Sequence, residues 1–117
     1  LLKSDGTNTS KAITEKGYFT VTSSAITAFT AVAGDQLLVD TTQTTVTITL
    51  PAAPAVGDEV VFIDARGTFA SNNLTIERNG KPINSGTNNL ALATNGQAIT
   101  LVFIDSTRGW AYKTNTA

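Results

Sequence analysis

Apolar and polar positions alternate along much of this chain, most sharply where Val46, Ile48 and Leu50 interleave with Thr45, Thr47 and Thr49. Side chains alternate across an extended strand, so a period of two predicts a strand with one buried face and one face of hydroxyls. Pro51 lacks a backbone donor and pushes Leu50 out of the helical region. Pairing is therefore expected to stop there, with PAAPAVGD making a crossing. Residues 60–63 are apolar in succession, which predicts a second strand covered on both faces. The run 44–67 is thus strand, proline-marked turn and strand, and the remaining elements are arranged around it.

Further strands are expected on the same grounds. Residues 18–22 alternate, with Phe19 and Val21 against Tyr18, Thr20 and Thr22, and residues 26–29 extend or re-enter the sheet after Ser23 and Ser24. Gly34-Asp35 opens a strand over 36–40, and Leu74 and Ile76 alternate with Thr75 and Glu77. Asn79-Gly80 follows at once, a dipeptide that tolerates positive φ and marks a tight hairpin, with 81–84 as a short edge partner limited by Pro82. Residues 90–93 form another short strand before the Asn95-Gly96 turn. Residues 97–105 are the longest apolar strand, and Arg108-Gly109 turns it into a closing strand over 110–113 carrying Trp110 and Tyr112. The fold class expected is all-β, an antiparallel, jelly-roll-like β-sandwich over 18–117, preceded by a polar arm at 1–17. GDEVVFIDARG and GQAITLVFIDSTRG echo one another, and GDQLLVDTT more loosely. Duplicated units would explain the echo, but the turn chemistry of Asp, Arg and Gly is the simpler source.

Composition narrows the function. A chain of 117 residues fits one domain with a single core. The formal charge of −1, with acids and bases interspersed, provides no basic stripe for nucleic acid. No apolar run approaches the roughly 18 residues of a membrane span. The absence of Cys and His removes disulfides, thiolate chemistry and the commonest general base and metal ligand. No cofactor is expected. The chain opens on Leu rather than Met, as a piece of a longer or processed polypeptide would.

The carboxylates that remain are Asp58, Glu59, Asp64 and Asp105. Asp64 and Asp105 would face each other if the two FID strands were neighbours, as a glycosidase pair requires. The competing and stronger expectation is that each caps its own turn or pairs with Arg66 or Arg108. Asp35, Asp40 and Asp58 are calcium-type ligands without the spacing of a calcium loop. Trp110 is expected in the core. Phe69 stands in the polar loop 66–73 with Ser71, Asn72 and Asn73, a combination suited to stacking on and hydrogen bonding a glycan, or to anchoring the loop. If that loop is scaffold, residues 85–89 (SGTNN) are the alternative contact. Val61, Ile63, Val102 and Ile104 lie opposite Phe62 and Phe103 and are expected to be covered by a second sheet, a loop or a neighbouring subunit.

TVTITLPAAPAVGDEVVFIDARGTFASNNLTIERNGKPI and the closing ITLVFIDSTRGWAYK resemble a domain recurring in tail fibres and other virion structural proteins of tailed bacteriophages, notably marine and cyanobacterial phages. The resemblance covers about residues 39–113, on Leu50-Pro51, Gly57-Asp58, Phe62, Asp64, Gly67, Phe69, Asn72, Asn79-Gly80, Ile83 and Gly109-Trp110. It implies a virion location, assembly in the host cytoplasm, a homotrimer among other virion proteins and a host glycan or protein receptor. It implies no catalytic residue. That neither nucleic acid nor membrane is expected as a partner follows from the charge and the absence of a long apolar run, not from the resemblance. A carbohydrate-binding module of a larger protein and a glycan depolymerase are the competing classes.

Overall fold

The computed structural model describes residues 2–3, 11–12 and 17–116. Most of the expected arm at 1–17 therefore lies outside the described residues, apart from two short strands, β1 (Leu2–Lys3) and β2 (Lys11–Ala12), which pair antiparallel. The strands that follow are β3 (Tyr18–Thr22), β4 (Ala28–Thr30), β5 (Gln36–Asp40), β6 (Val46–Thr49), β7 (Glu59–Asp64), β8 (Leu74–Glu77), β9 (Leu90–Leu92), β10 (Ala98–Asp105) and β11 (Gly109–Thr116). Among the described residues there is no helix, so none is long and apolar enough to cross a membrane.

The chain winds between two sheets. One has five strands in the order β11-β10-β7-β5-β3, the other four in the order β4-β6-β8-β9. From β3 to β7 each strand is followed by one in the opposite sheet, so β3, β5 and β7 stack parallel, as do β4, β6 and β8. The antiparallel expectation holds only where β10 joins β7 and β11 and where β9 joins β8. The physical reason is the length and direction of the crossings. Each short arch delivers the chain to the other sheet instead of folding it back within its own, and the intervening strand supplies the crossover that parallel pairing requires. Residues 81–84 are likewise not the hairpin partner of β8. That partner is β9, while Ile83 bridges Gly86 and Trp110.

The period of two decides which side chains go in. Phe19, Leu37, Phe62 and Ile99 are register partners across four strands of the larger sheet, and all are buried. Phe29, Ile48 and Ile76 form the corresponding buried row of the smaller sheet. The rows share one core, in which Phe19 stacks on Phe29 at 5.3 Å and Phe103 meets Trp110 edge-on at 5.5 Å. Within the single chain Val60 and Phe62 are buried, whereas Val61 and Ile63 are half-buried on the outer face, which no second sheet among the described residues covers. The molecule measures 35 × 31 × 21 Å, with loops gathered at its two ends. One end holds loops 41–45, 65–73 and 93–97; the other holds 31–35, 50–58, 78–89 and 106–108.

Candidate functional site

The loop expected to meet a receptor, 66–73, is built around an acid. Asp64 is the last residue of β7, and its side chain points inward. Its Oδ1 accepts the backbone N–H groups of Arg66 (3.3 Å), Gly67 (2.9 Å) and Thr68 (3.1 Å). Its Oδ2 accepts those of Phe69 (3.1 Å) and Gly96 (2.9 Å). Burial pushes the carboxyl upward, but the N–H groups of Gly96, Phe69, Thr68 and Arg66 outweigh it and hold Asp64 below the ordinary aspartate value. One carboxylate thus ties two loops that are distant in sequence.

Phe69 completes that anchor. Its side chain is fully buried, which corrects its reading as a stacking platform. Its N–H bond to Asp64 holds the loop backbone where the ring enters the apolar core, and burial of the ring is itself favourable. Asn73 Nδ2 donates to Phe69 O at 2.5 Å, and Asn72 Nδ2 to Thr41 O at 2.8 Å. The Thr68 and Thr41 hydroxyls meet at 2.7 Å, and Ala70 N–H donates to Asn95 Oδ1 at 2.9 Å. The Asn72 amide expected to reach a sugar is spent on the neighbouring loop 41–45 and that of Asn73 on its own loop, while Ser71 is exposed.

At the opposite end the loop 78–89 is fixed mainly by backbone. Trp110 N–H donates to Pro82 O at 2.9 Å, Asn84 N–H to Trp110 O at 2.6 Å and Ser85 N–H to Arg108 O at 2.8 Å. Gly109 permits this approach. A Cβ there would lie 1.8 Å from Pro82 O, and its φ of 72° belongs to the left-handed region. Asn84 (φ 52°) and Ser85 (φ 68°) occupy that region in succession, a conformation Asn tolerates better than Ser. Arg78 N–H donates to Asn89 Oδ1 at 3.1 Å and Asn79 Nδ2 to Leu50 O at 3.0 Å. Residues 84, 85 and 87–89 are exposed, and so is Arg108.

The remaining candidates fall apart as sites. The two FID strands are neighbours but antiparallel, pairing Ala98 with Ile63 and Val102 with Glu59. Asp64 and Asp105 therefore lie at opposite ends of the sheet and form no acid/base pair. Asp105 Oδ1 caps its own turn through the N–H groups of Thr107 and Arg108. Asp35 and Asp58 likewise accept from Val32 and Ala55. Asp40 is at the other end, held below its ordinary value by hydrogen bonds from Thr42 and by Arg66, whose Nε is 3.5 Å away. Among the described residues no group of acids is assembled that could hold a metal ion. Trp110 is fully buried, and its Nε1–H finds no acceptor among the described residues. Val61, Ile63 and Val102 are half-buried on the outer face of the larger sheet, and Ile104 is 41% exposed.

Sequence reasoning missed the cluster of Arg108 and Asn84. Arg108 Nη2 donates to Asn84 Oδ1 at 2.7 Å, joining residues far apart in the chain. The available signal was an Arg-Gly turn closing the longest strand, which was read as turn chemistry alone. Comparison with known protein families and with curated proteins finds no match for this chain.

Proposed function

We propose that this chain is a β-sandwich domain of a bacteriophage tail fibre or related virion appendage, which joins copies of itself into a trimer and contributes to host attachment. The observation that carries the reading is the division of labour within the resembling residues. Asp64, Gly67, Phe69, Asn72, Asn79, Gly109 and Trp110 all fix loops or fill the core, leaving a rigid body whose polar loops face outward at one end. Such a body suits repeated weak contacts, because several sites on one fibre raise the effective concentration of each. The outer face of the larger sheet supports self-association. Val61, Ile63, Val102 and Ile104 crop out there, and its rim carries Glu59 and Lys113 paired at 3.1 Å.

Light scattering on the purified domain tests the trimer, and adsorption to host cells tests attachment. A trimeric mass with saturable adsorption is the expected result. A monomer that binds saccharide favours a carbohydrate-binding module, and a monomer that binds neither cells nor saccharide overturns both readings. A glycan depolymerase has no support in the placement of Asp64 and Asp105 at opposite ends.

A further inference from the structure

We infer that Arg108, Asn84 and the exposed groups of residues 85–89 form a contact site for an acidic saccharide, a glycan chain bearing carboxylate or sulfate groups. This rests on the attachment reading and names the ligand class of its exposed end. Three observations carry it. First, the guanidinium is exposed yet held in place, since Nη2 donates to Asn84 Oδ1 at 2.7 Å and the backbones of 84–85 and 108–110 are laced together. A held fork loses less freedom on meeting a carboxylate or sulfate, and its remaining N–H groups suit two-point recognition.

Second, the partner holding Arg108 is a neutral amide. Among the described residues Arg108, Arg78 and Lys81 form no ion pair, whereas Arg66 and Lys113 are matched with Asp40 and Glu59. Arg78 Nη1 donates to Lys81 O at 3.4 Å, so Arg78 and Arg108 brace the same loop from its two sides. Between Glu77 and Asp105 the sequence contains no acid. Asp105 lies in the Arg108 turn, but its Oδ1 is occupied by two backbone N–H groups.

Third, the surrounding chemistry is that of a sugar site. Ser85, Thr87, Asn88 and Asn89 offer hydroxyls and amides beside the cation, and all four are exposed. No aromatic ring accompanies them, because Trp110 and Phe103 are buried beneath. Single-stranded nucleic acid binds through aromatic stacking and a positive groove, and a chain of net charge −1 provides neither here.

The test is binding of the full chain to immobilised polygalacturonate and dextran sulfate, with neutral dextran and a single-stranded DNA oligonucleotide as comparisons. The wild type is expected to bind the two acidic polymers, more weakly as salt rises, and to ignore dextran. Arg108→Gln is expected to weaken binding about tenfold or more, with the melting temperature nearly unchanged. Asn84→Asp keeps the shape and the tolerance of positive φ but sets a carboxylate against the guanidinium, and should weaken binding to a similar degree. Arg66→Gln, at the far end, should leave it unchanged. The inference is overturned if the wild type binds neither acidic polymer, if it binds DNA as tightly, or if folded Arg108→Gln and Asn84→Asp bind like the wild type. Host-cell adsorption separates this from the attachment reading. Cells bound without Arg108 would overturn the inference alone, and acidic polymers bound through Arg108 by a protein that ignores host cells would overturn the attachment reading alone.

Discussion

At one end of the two sheets a single carboxylate draws in backbone N–H groups from two loops; at the other, one loop lies directly on another because no side chain stands between them. The Asp64 end is organised by charge and hydrogen bonding. The Gly109 end is organised by close approach. The first method consumes the polar groups of its loop, since Asn72, Asn73 and Thr68 all turn inward to partners. The second fixes the backbone and leaves side chains at 85 and 87–89 facing water. A loop rich in Asn and Ser is therefore not a contact surface by composition alone; what matters is whether its backbone is satisfied by its own side chains or by a neighbour's backbone.

The comparison is broken most severely by Gly109→Ala. The new Cβ would meet Pro82 O, C and Cα at 1.8, 2.4 and 2.9 Å, all backbone atoms with no rotamer to swing away. Left-handed strain and overpacking together predict a loss of about 5 kcal/mol in a denaturant melt. A variant as stable as the wild type would mean that this end is not held by close approach.

Asp64→Ala is the corresponding break at the other end. Five backbone N–H groups lose a charged acceptor, of which that of Phe69 is buried and the others part-buried. The loss should be about 4 kcal/mol, since charge-assisted bonds and an orphaned buried donor both count above the ordinary hydrogen bond. Asp64→Asn keeps the shape but presents an NH2 to some of those donors, so it should lose most of the same amount. Phe69→Ala opens a cavity beneath the same loop and should cost about 3 kcal/mol, near the lower bound for a buried Phe because a surface loop can partly collapse onto it.

How far the sequence carried these points depends on the range of the interaction. The period of two named the core face where the other face is polar, as in β3, β6 and β8, because alternation is local. The continuous apolar runs at 60–63 and 97–105 located strands without saying which side is core, and the strand expected over 81–84 did not form. Parallel stacking was not legible. Phe19, Leu37 and Phe62 are register partners but are unequally spaced in the chain, since the arches differ in length, and so no repeat announces the winding. Asp64 and Asp105 close the same FID string and both cap turns, yet only Asp64 also gathers Gly96 from a distant loop. Phe69 reads from its polar neighbours as either a glycan platform or a loop anchor, and what decides for the anchor, the Asp64 bond to its N–H and the apolar core beneath, is contact rather than composition. The Arg108–Asn84 pair depends on Gly109 lying against Pro82, which neither segment discloses alone.

Acid sharpens the contrast without a mutation. Asp64 and Asp40 are both lowered in the folded protein and both belong to the Asp64 end. Their contribution is fully present above the unfolded aspartate value of about 3.9 and is lost as pH falls through their lower folded values. Below about pH 4 the melting temperature should fall, and Asp64→Asn should flatten that fall. Amide NMR shifts of Thr68, Phe69 and Gly96, whose N–H groups the Asp64 carboxylate accepts, should move with the acid transition, and in Asp64→Asn that movement should be lost.

The smallest effects, and the finest test of the comparison, come from one residue type placed at each end. Asn72→Ala removes a half-buried donor to Thr41 O, and Asn89→Ala an exposed acceptor from Arg78 N–H. A typical hydrogen bond contributes about 1 kcal/mol net, more where loss leaves a buried group unpaired and less where water replaces the partner. Asn72→Ala should therefore cost about 1.5 kcal/mol and Asn89→Ala about 0.5 kcal/mol in equilibrium melts. Binding should run the other way. Affinity per folded molecule for host cells is expected to be unchanged in Asn72→Ala and reduced in Asn89→Ala, because the first amide is spent inside the protein and the second stands beside Ser85, Thr87 and Asn88 at the water-facing end. Reduced affinity in a fully folded Asn72→Ala would return the contact to loop 66–73, with Ser71 as its exposed member.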